Sequence, residues 1–240
     1  MTTILILGSG PNATLAQGWD RAPFDHILAI NNAWRVRTDW DALIYPHDFP
    51  PHRRPVPRAG QTLVTEDDFV PAQNAFGGFV YAGGTMAFTA AYWALYAHRP
   101  RMIAVMGCDM HYPTGRATHF YGTGAADPLR ADITLQSLEA KAARLMVLAA
   151  MQGCAVVNLS IAGPTRLIYP RVGLNGLDRL EPLPFDANVA DLALAEETAL
   201  GYVVPSGRYW EQADRFDAGA LRRVDALWLQ AAAADRRLSA

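Results

Sequence analysis

The sequence predicts an α/β protein of Rossmann-like type: a mostly parallel sheet with helices on both faces and a small helical C-terminal appendage. Two observations carry this. Short apolar runs recur at 4–7, 25–30, 42–45, 101–107 and 155–159, with helix-compatible or loop sequence between them. Buried parallel strands read as such runs, and their alternation with helices is the pattern of a sheet covered on both faces. The runs also end alike, in small or polar residues, which falls at the carboxyl edge where open parallel sheets bind ligands. At 240 residues the chain can bury a full core of this kind. An α/β catalytic domain is expected over 1–170, with an appendage over 171–240 packed on it.

The first run ends in Gly8-Ser9-Gly10-Pro11-Asn12. Gly8 and Gly10 permit a tight turn and close approach of a ligand, and Pro11 suits the first turn of a helix, so the amides there are candidates to face a phosphate. The same residues also make an ordinary strand-to-helix turn. No Gly-Lys-Ser/Thr follows, which excludes a P-loop, and Pro11 and Asn12 interrupt the path to the third glycine of a dinucleotide fingerprint. The second run leads into Asn31 and Asn32, which either cap the next helix or reach a ligand. The third delivers His47 and Asp48 after Pro46.

Residues 49–58 are crowded with prolines and carry His52, Arg53 and Arg54, which predicts an irregular surface loop placed as an acceptor-side flap. A short strand is expected at 62–65, and a helix over 85–98 follows the glycine- and aromatic-rich stretch 77–84. Gly84 and Thr85 at its start are a second anion or sugar contact, or else Gly84 serves close packing. The run at 101–107 delivers Cys108, Asp109, Met110, His111 and Tyr112 to the same edge. A loop with Arg116, His119, Tyr121 and Asp127 precedes a helix expected from 132 to 152, stopped by Gly153. The last run ends in Ser160. Periodicity is lost over 170–184, and helices are expected at 190–200 and 218–238, joined by a connector at 202–210. Their apolar character leaves a homo-oligomer open.

Composition narrows the function classes. The 21 basic and 23 acidic residues leave a net charge of -2, so no general field draws the chain to nucleic acid or anionic lipid. Lys141 is the only lysine and falls mid-helix, which argues against lysine chemistry. Cys108 and Cys154 lie far apart without a Cys-x-x-Cys pair, as expected of buried thiols in a reducing cytoplasm. The N-terminus shows neither a basic region nor an apolar signal core, and no apolar run approaches the ~18 residues of a membrane span. A soluble, cytoplasmic protein without a transmembrane segment is expected.

The residues gathered at the strand ends are Gly8 to Asn12, Asn31, Asn32, His47, Asp48, Asp109, His111, Tyr112, His119 and Ser160. They combine amides for a phosphate, asparagines for base or ribose, and histidines able to exchange protons near neutral pH. That set suits a nucleotide-sugar donor. In its order, the pattern Gly8-Ser9-Gly10-Pro11-Asn12, Asn31-Asn32, His47-Asp48, Gly107-Cys108-Asp109-Met110-His111-Tyr112 and Thr118-His119 resembles the Maf and MptE-like superfamily and the Campylobacter-type bacterial sialyltransferases, over roughly residues 3–160. The resemblance implies one of two activities: transfer of a nonulosonic sugar from a CMP donor to a glycan or small-molecule acceptor, or transfer of diphosphate from a nucleoside triphosphate to an alcohol. From the sialyltransferases it implies Tyr112 and Tyr121 as a pair on the leaving phosphate and His119 as the base. No cofactor is then required. His111 is the fallback base. Two departures reopen a metal: Asp48 stands where those enzymes carry asparagine, and with Asp109 it would offer Mg²⁺ hard oxygen ligands. Asp109 equally suits holding loop amides, and a nucleotide-binding protein without catalysis is the remaining alternative.

Overall fold

The computed structural model describes residues 2–112, 114–123 and 130–233. Among them β1 (Thr3–Leu7), β2 (His26–Ile30), β3 (Ala42–Ile44), β4 (Thr62–Val64), β5 (Met102–Met106) and β6 (Ala155–Asn158) form one sheet, parallel throughout, in the order β4-β3-β2-β1-β5-β6. The chain steps outward from β1 to the edge strand β4, then crosses back to lay β5 and β6 on the other side of β1. That reversal opens a crevice at the carboxyl ends of β1 and β5. Leu7 stands in register with both Ala29 and Met106, so the loops after β1, β2 and β5 leave the sheet at one level.

Alternate side chains of the strands feed two separate cores. Ile4, Ile6, Leu28 and Ile103 pack with the α-helices, whereas Leu5, Leu7, Ile27 and Ala104 face the other way. The two coverings differ. The first face carries α1 (Glu66–Asn74), α2 (Phe79–Ala82), α3 (Met86–His98), α4 (Leu138–Met151), α5 (Ala187–Leu200) and α6 (Ala218–Ala231). The second is closed by 3₁₀ helices, Pro11–Gly18, Asn31–Arg35 and Leu174–Arg179, through Ala13, Ala16, Ala33 and Leu177. Ala13 and Ala16 lie three apart, the spacing at which 3₁₀ side chains line up.

Several expected boundaries move. The helix expected from 132 becomes a 3₁₀ turn at Ile133–Leu135, and α4 starts only after Ser137, whose hydroxyl accepts the Ala140 amide at 3.1 Å. Helix α1 was not expected. It begins with a capping box in which Thr65 N–H donates to Asp68 at 2.9 Å. Helix α6 ends at Ala231, and the expected extension to 238 lies largely outside the described residues, as does Asp127.

The C-terminal helices belong to the same core as the sheet. The Arg144 guanidinium of α4 is buried in a double hydrogen bond with Glu197 of α5, at 2.7 Å twice, and also reaches the Tyr92 hydroxyl at 2.8 Å. Trp228 of α6, fully buried, donates its indole N–H to Glu197 at 2.7 Å. Lys141 pairs with Asp225 of α6 at 2.7 Å. The lone lysine is therefore a buried structural cation. Among the described residues no helix is long and apolar enough to cross a membrane.

Candidate nucleotide site

A cleft opens at the β1/β5 switch point. It is lined by Gly8, Ser9 and Gly10 after β1, Ile30 and Asn31 at the end of β2, Gly107 and Cys108 after β5, and Thr85, Met86 and Ala87 at the start of α3. Met110, Tyr112, His119 and Tyr121 complete the lining. Of the expected site residues, the geometry thus brings together Gly8, Ser9, Gly10, Asn31, Thr85, Tyr112, His119 and Tyr121.

The first turn does not serve as expected. The Gly8 amide donates to Met106 O and the Gly10 amide to Gly107 O, both at 2.8 Å, so neither faces a phosphate. The glycines are there for close approach: a Cβ on Gly8 would lie 2.3 Å from Gly107 O. The anion-favouring position is instead α3, a 13-residue helix whose N-terminal end points into the cleft. Thr85 caps it, its hydroxyl accepting from Phe88 N–H at 3.5 Å, and the Met86 and Ala87 amides have no helical acceptor. Gly84 makes no ligand contact there. It is a packing glycine, since a Cβ would come within 2.4 Å of the Tyr209 hydroxyl.

Two polar atoms in the cleft are buried without a partner, Ser9 Oγ and Asn31 Oδ1. Asn31 opens its 3₁₀ helix at φ 51° and makes no capping bond, so it is not a cap. Met110 also has φ 51°. Left-handed backbone at non-glycine residues gathers at functional sites because it persists only where the surroundings hold it.

The segment carrying His119 is a short turn closed by an antiparallel bridge between His119 and Gly122 and anchored by Phe120 N–H on Ser9 O at 3.0 Å. The His119 ring stacks on Tyr121, centroids 5.0 Å apart, with Tyr112 at 6.1 Å. Its Nδ1 is 2.9 Å from the Thr118 hydroxyl, a partner with no role assigned from sequence. In the tautomer where Nδ1–H donates to Thr118, Nε2 is the proton acceptor.

Asp109 has another duty. Its two carboxylate oxygens accept from Asn12 Nδ2 at 2.8 Å and Asn158 Nδ2 at 2.9 Å, and Asn12 donates as well to Ser160 Oγ at 2.9 Å. Asn12, Asp109, Asn158 and Ser160 form a strap across the ends of β1, β5 and β6, away from the cleft lining. The Asp109 carboxylate is thus engaged by two side-chain amides, and Ser160 belongs to the same network. Asp48 and His47 are exposed outside the cleft, His47 Nδ1 lying 3.6 Å from Glu66. Neither Asp48 nor Asp109 lines the cleft, and no cluster of three metal-ligating side chains forms among the described residues. His111 is exposed and off the lining, and Pro11 is an exposed helix-start residue. Asn32 is buried and faces a neighbouring recess instead. Cys108 is buried on the floor, and burial pushes its thiol far up, which leaves it inert. Burial likewise raises Cys154, to about 12.

Set against protein-family models, curated proteins and solved structures, the chain has no significant match.

Proposed function

We propose that the cleft binds a nucleotide-activated sugar and that the chain is a glycosyltransferase, its donor a CMP-linked nonulosonate. One observation carries the reading: a histidine with a tyrosine ring on either side lines the same crevice as a capped helix N-terminus and the unpaired Ser9 Oγ and Asn31 Oδ1. The donor phosphate lies at the Met86 and Ala87 amides, where the helix end favours negative charge. Asn31 and Ser9 take base or ribose groups. The acceptor hydroxyl gives its proton to His119 Nε2 as its oxygen bonds the anomeric carbon; the bond from that carbon to the phosphate oxygen breaks, and its electron pair leaves with CMP. Tyr112 and Tyr121 hydroxyls, with the helix end, stabilise the charge on the departing phosphate. No step needs a metal held by protein carboxylates. The motif resemblance to the sialyltransferases supports the choice of donor.

A thermal-shift panel of CMP, CDP, UDP, GDP and ATP, with and without Mg²⁺, tests this. CMP at a hundred times its dissociation constant stabilises by about 2.7 kcal/mol, without need of Mg²⁺. A shift with ATP alone, strictly Mg²⁺-dependent, with AMP released on turnover, overturns it in favour of a diphosphokinase.

A further inference from the structure

Beside the cleft lies a second recess, lined by Asn32, Trp34, Arg35, His52, Arg53 and Tyr121. Tyr121 lines both, so the two hollows adjoin at this side chain. Arg35 is the last residue of the 3₁₀ helix after β2, and Arg53 the last of the 3₁₀ helix Pro51–Arg53. The Trp34 indole N–H donates to the Arg53 carbonyl at 3.0 Å and pins the two short helices edge to edge. Neighbouring arginines are committed elsewhere: Arg21 to Asp41, Arg37 to Asp39, and Arg54 to the Phe49 carbonyl and the Tyr45 ring. Arg35 and Arg53 have no ion pair among the described residues. In a chain of net charge -2, two uncommitted guanidinium groups beside one tryptophan make a local positive site.

The geometry points to a phosphoryl-binding subsite in this recess, where the second substrate of the transfer docks by a phosphate group. Guanidinium forks bond phosphate oxygens in pairs, and two cations match a dianion better than a monocarboxylate. The Trp34 face offers an apolar surface to whatever carries the phosphate. Only the role of second substrate rests on the transferase reading; the anion site stands without it.

The test uses the full chain with phenyl phosphate as probe and benzoate as the carboxylate control, followed through the Trp34 indole N–H resonance, with and without saturating CMP. Phenyl phosphate should move that resonance whether or not CMP is present, and more strongly than benzoate. Arg35→Gln combined with Arg53→Gln should weaken phenyl phosphate binding by about tenfold or more, with melting temperature and CMP response unchanged. Both side chains are exposed, so the variant keeps its fold. Binding unaltered in the double variant, full displacement by CMP, or equal binding of benzoate overturns the assignment. If CMP fails to bind while the arginine-dependent response remains, the nucleotide reading falls and the subsite stands.

Discussion

Asn31 joins a backbone cost to a polar group left without a partner, and both vanish in Asn31→Gly. Glycine adopts φ 51° without penalty but loses more chain entropy on folding, so the two effects nearly cancel and stability should stay within about 1 kcal/mol. Nucleotide affinity should fall roughly two- to tenfold, the worth of one hydrogen bond. Calorimetric titration with CMP reads this, and unchanged affinity removes Asn31 from the site. His119 is tested by turnover. General-base catalysis supplies on the order of a hundred- to ten-thousandfold, so His119→Ala should lose that much while CMP binding is largely kept; undiminished turnover excludes it as the base. Both residues stand out in the sequence because a polar side chain follows an apolar run or sits among tyrosines. What the sequence conceals is the contrast between His119 and Asp109. Each is a titratable group near the β5 end, and only the folded register places Asn12 and Asn158 on the two oxygens of Asp109.

The Asp109 strap ties together the chain ends of β1, β5 and β6, and its loss should cost stability before chemistry. Asp109→Asn turns one acceptor into a donor aimed at an amide donor, a mismatch worth about 1–3 kcal/mol. Urea unfolding should show that loss with turnover of the remaining folded enzyme little changed; abolished turnover at full stability would instead make Asp109 a reacting group. Helix α6 is tied to α4 by the Lys141–Asp225 pair, where burial raises the Asp225 carboxyl against the pull of Lys141. Removing either partner alone strands a buried charge, so Lys141→Met or Asp225→Leu should each cost about 3–5 kcal/mol, while the double variant recovers most of it. Strict additivity of the two losses would argue that the pair is not coupled. The helical tail is legible in the sequence but its depth in the core is not, because the pairs that bind it, Arg144 with Glu197 and Lys141 with Asp225, lie 53 and 84 residues apart. Helix α1 was not expected although Thr65 and Asp68 carry its capping box, since Thr65 falls in the strand expected at 62–65.

The parallel sheet was legible throughout, because strands buried on both faces leave continuous apolar runs whatever covers them. The covering was less so: three short 3₁₀ helices close one face with Ala13, Ala16, Ala33 and Leu177, which no period of 3.6 reveals. The candidate cleft lies at the carboxyl edge, and at the beginning of β2 a different pair of groups is expected to make the fold sensitive to acid. His26 and His98 pack with ring centroids 4.6 Å apart, and both Nε2 atoms are buried without a partner. Burial lowers the pKa of each; Asp41 opposes this in both, and for His26 the charge of His98 and Arg21 adds to the lowering. A histidine whose folded pKa lies below its unfolded value of about 6.5 lets the unfolded chain take up protons first. Stability is therefore complete above about pH 6.5 and declines as pH falls from there toward the folded values, by at most about 1.4 kcal/mol per pH unit for each ring and less because water reaches both. Carboxylates act in a separate, lower window: the Arg37 hydrogen bond holds Asp39 down and the Arg166 hydrogen bond holds Glu139 down, so their contribution is present above about pH 4 and is lost only as pH drops through their folded values. His98→Phe keeps a ring against Trp93 and His26 without a titrating nitrogen. Its melting temperature should fall less than that of the parent chain from about pH 7.5 to about 5.5, while the two profiles run parallel below about pH 4. Superimposable profiles over the whole range would mean that the histidine pair does not set the acid sensitivity.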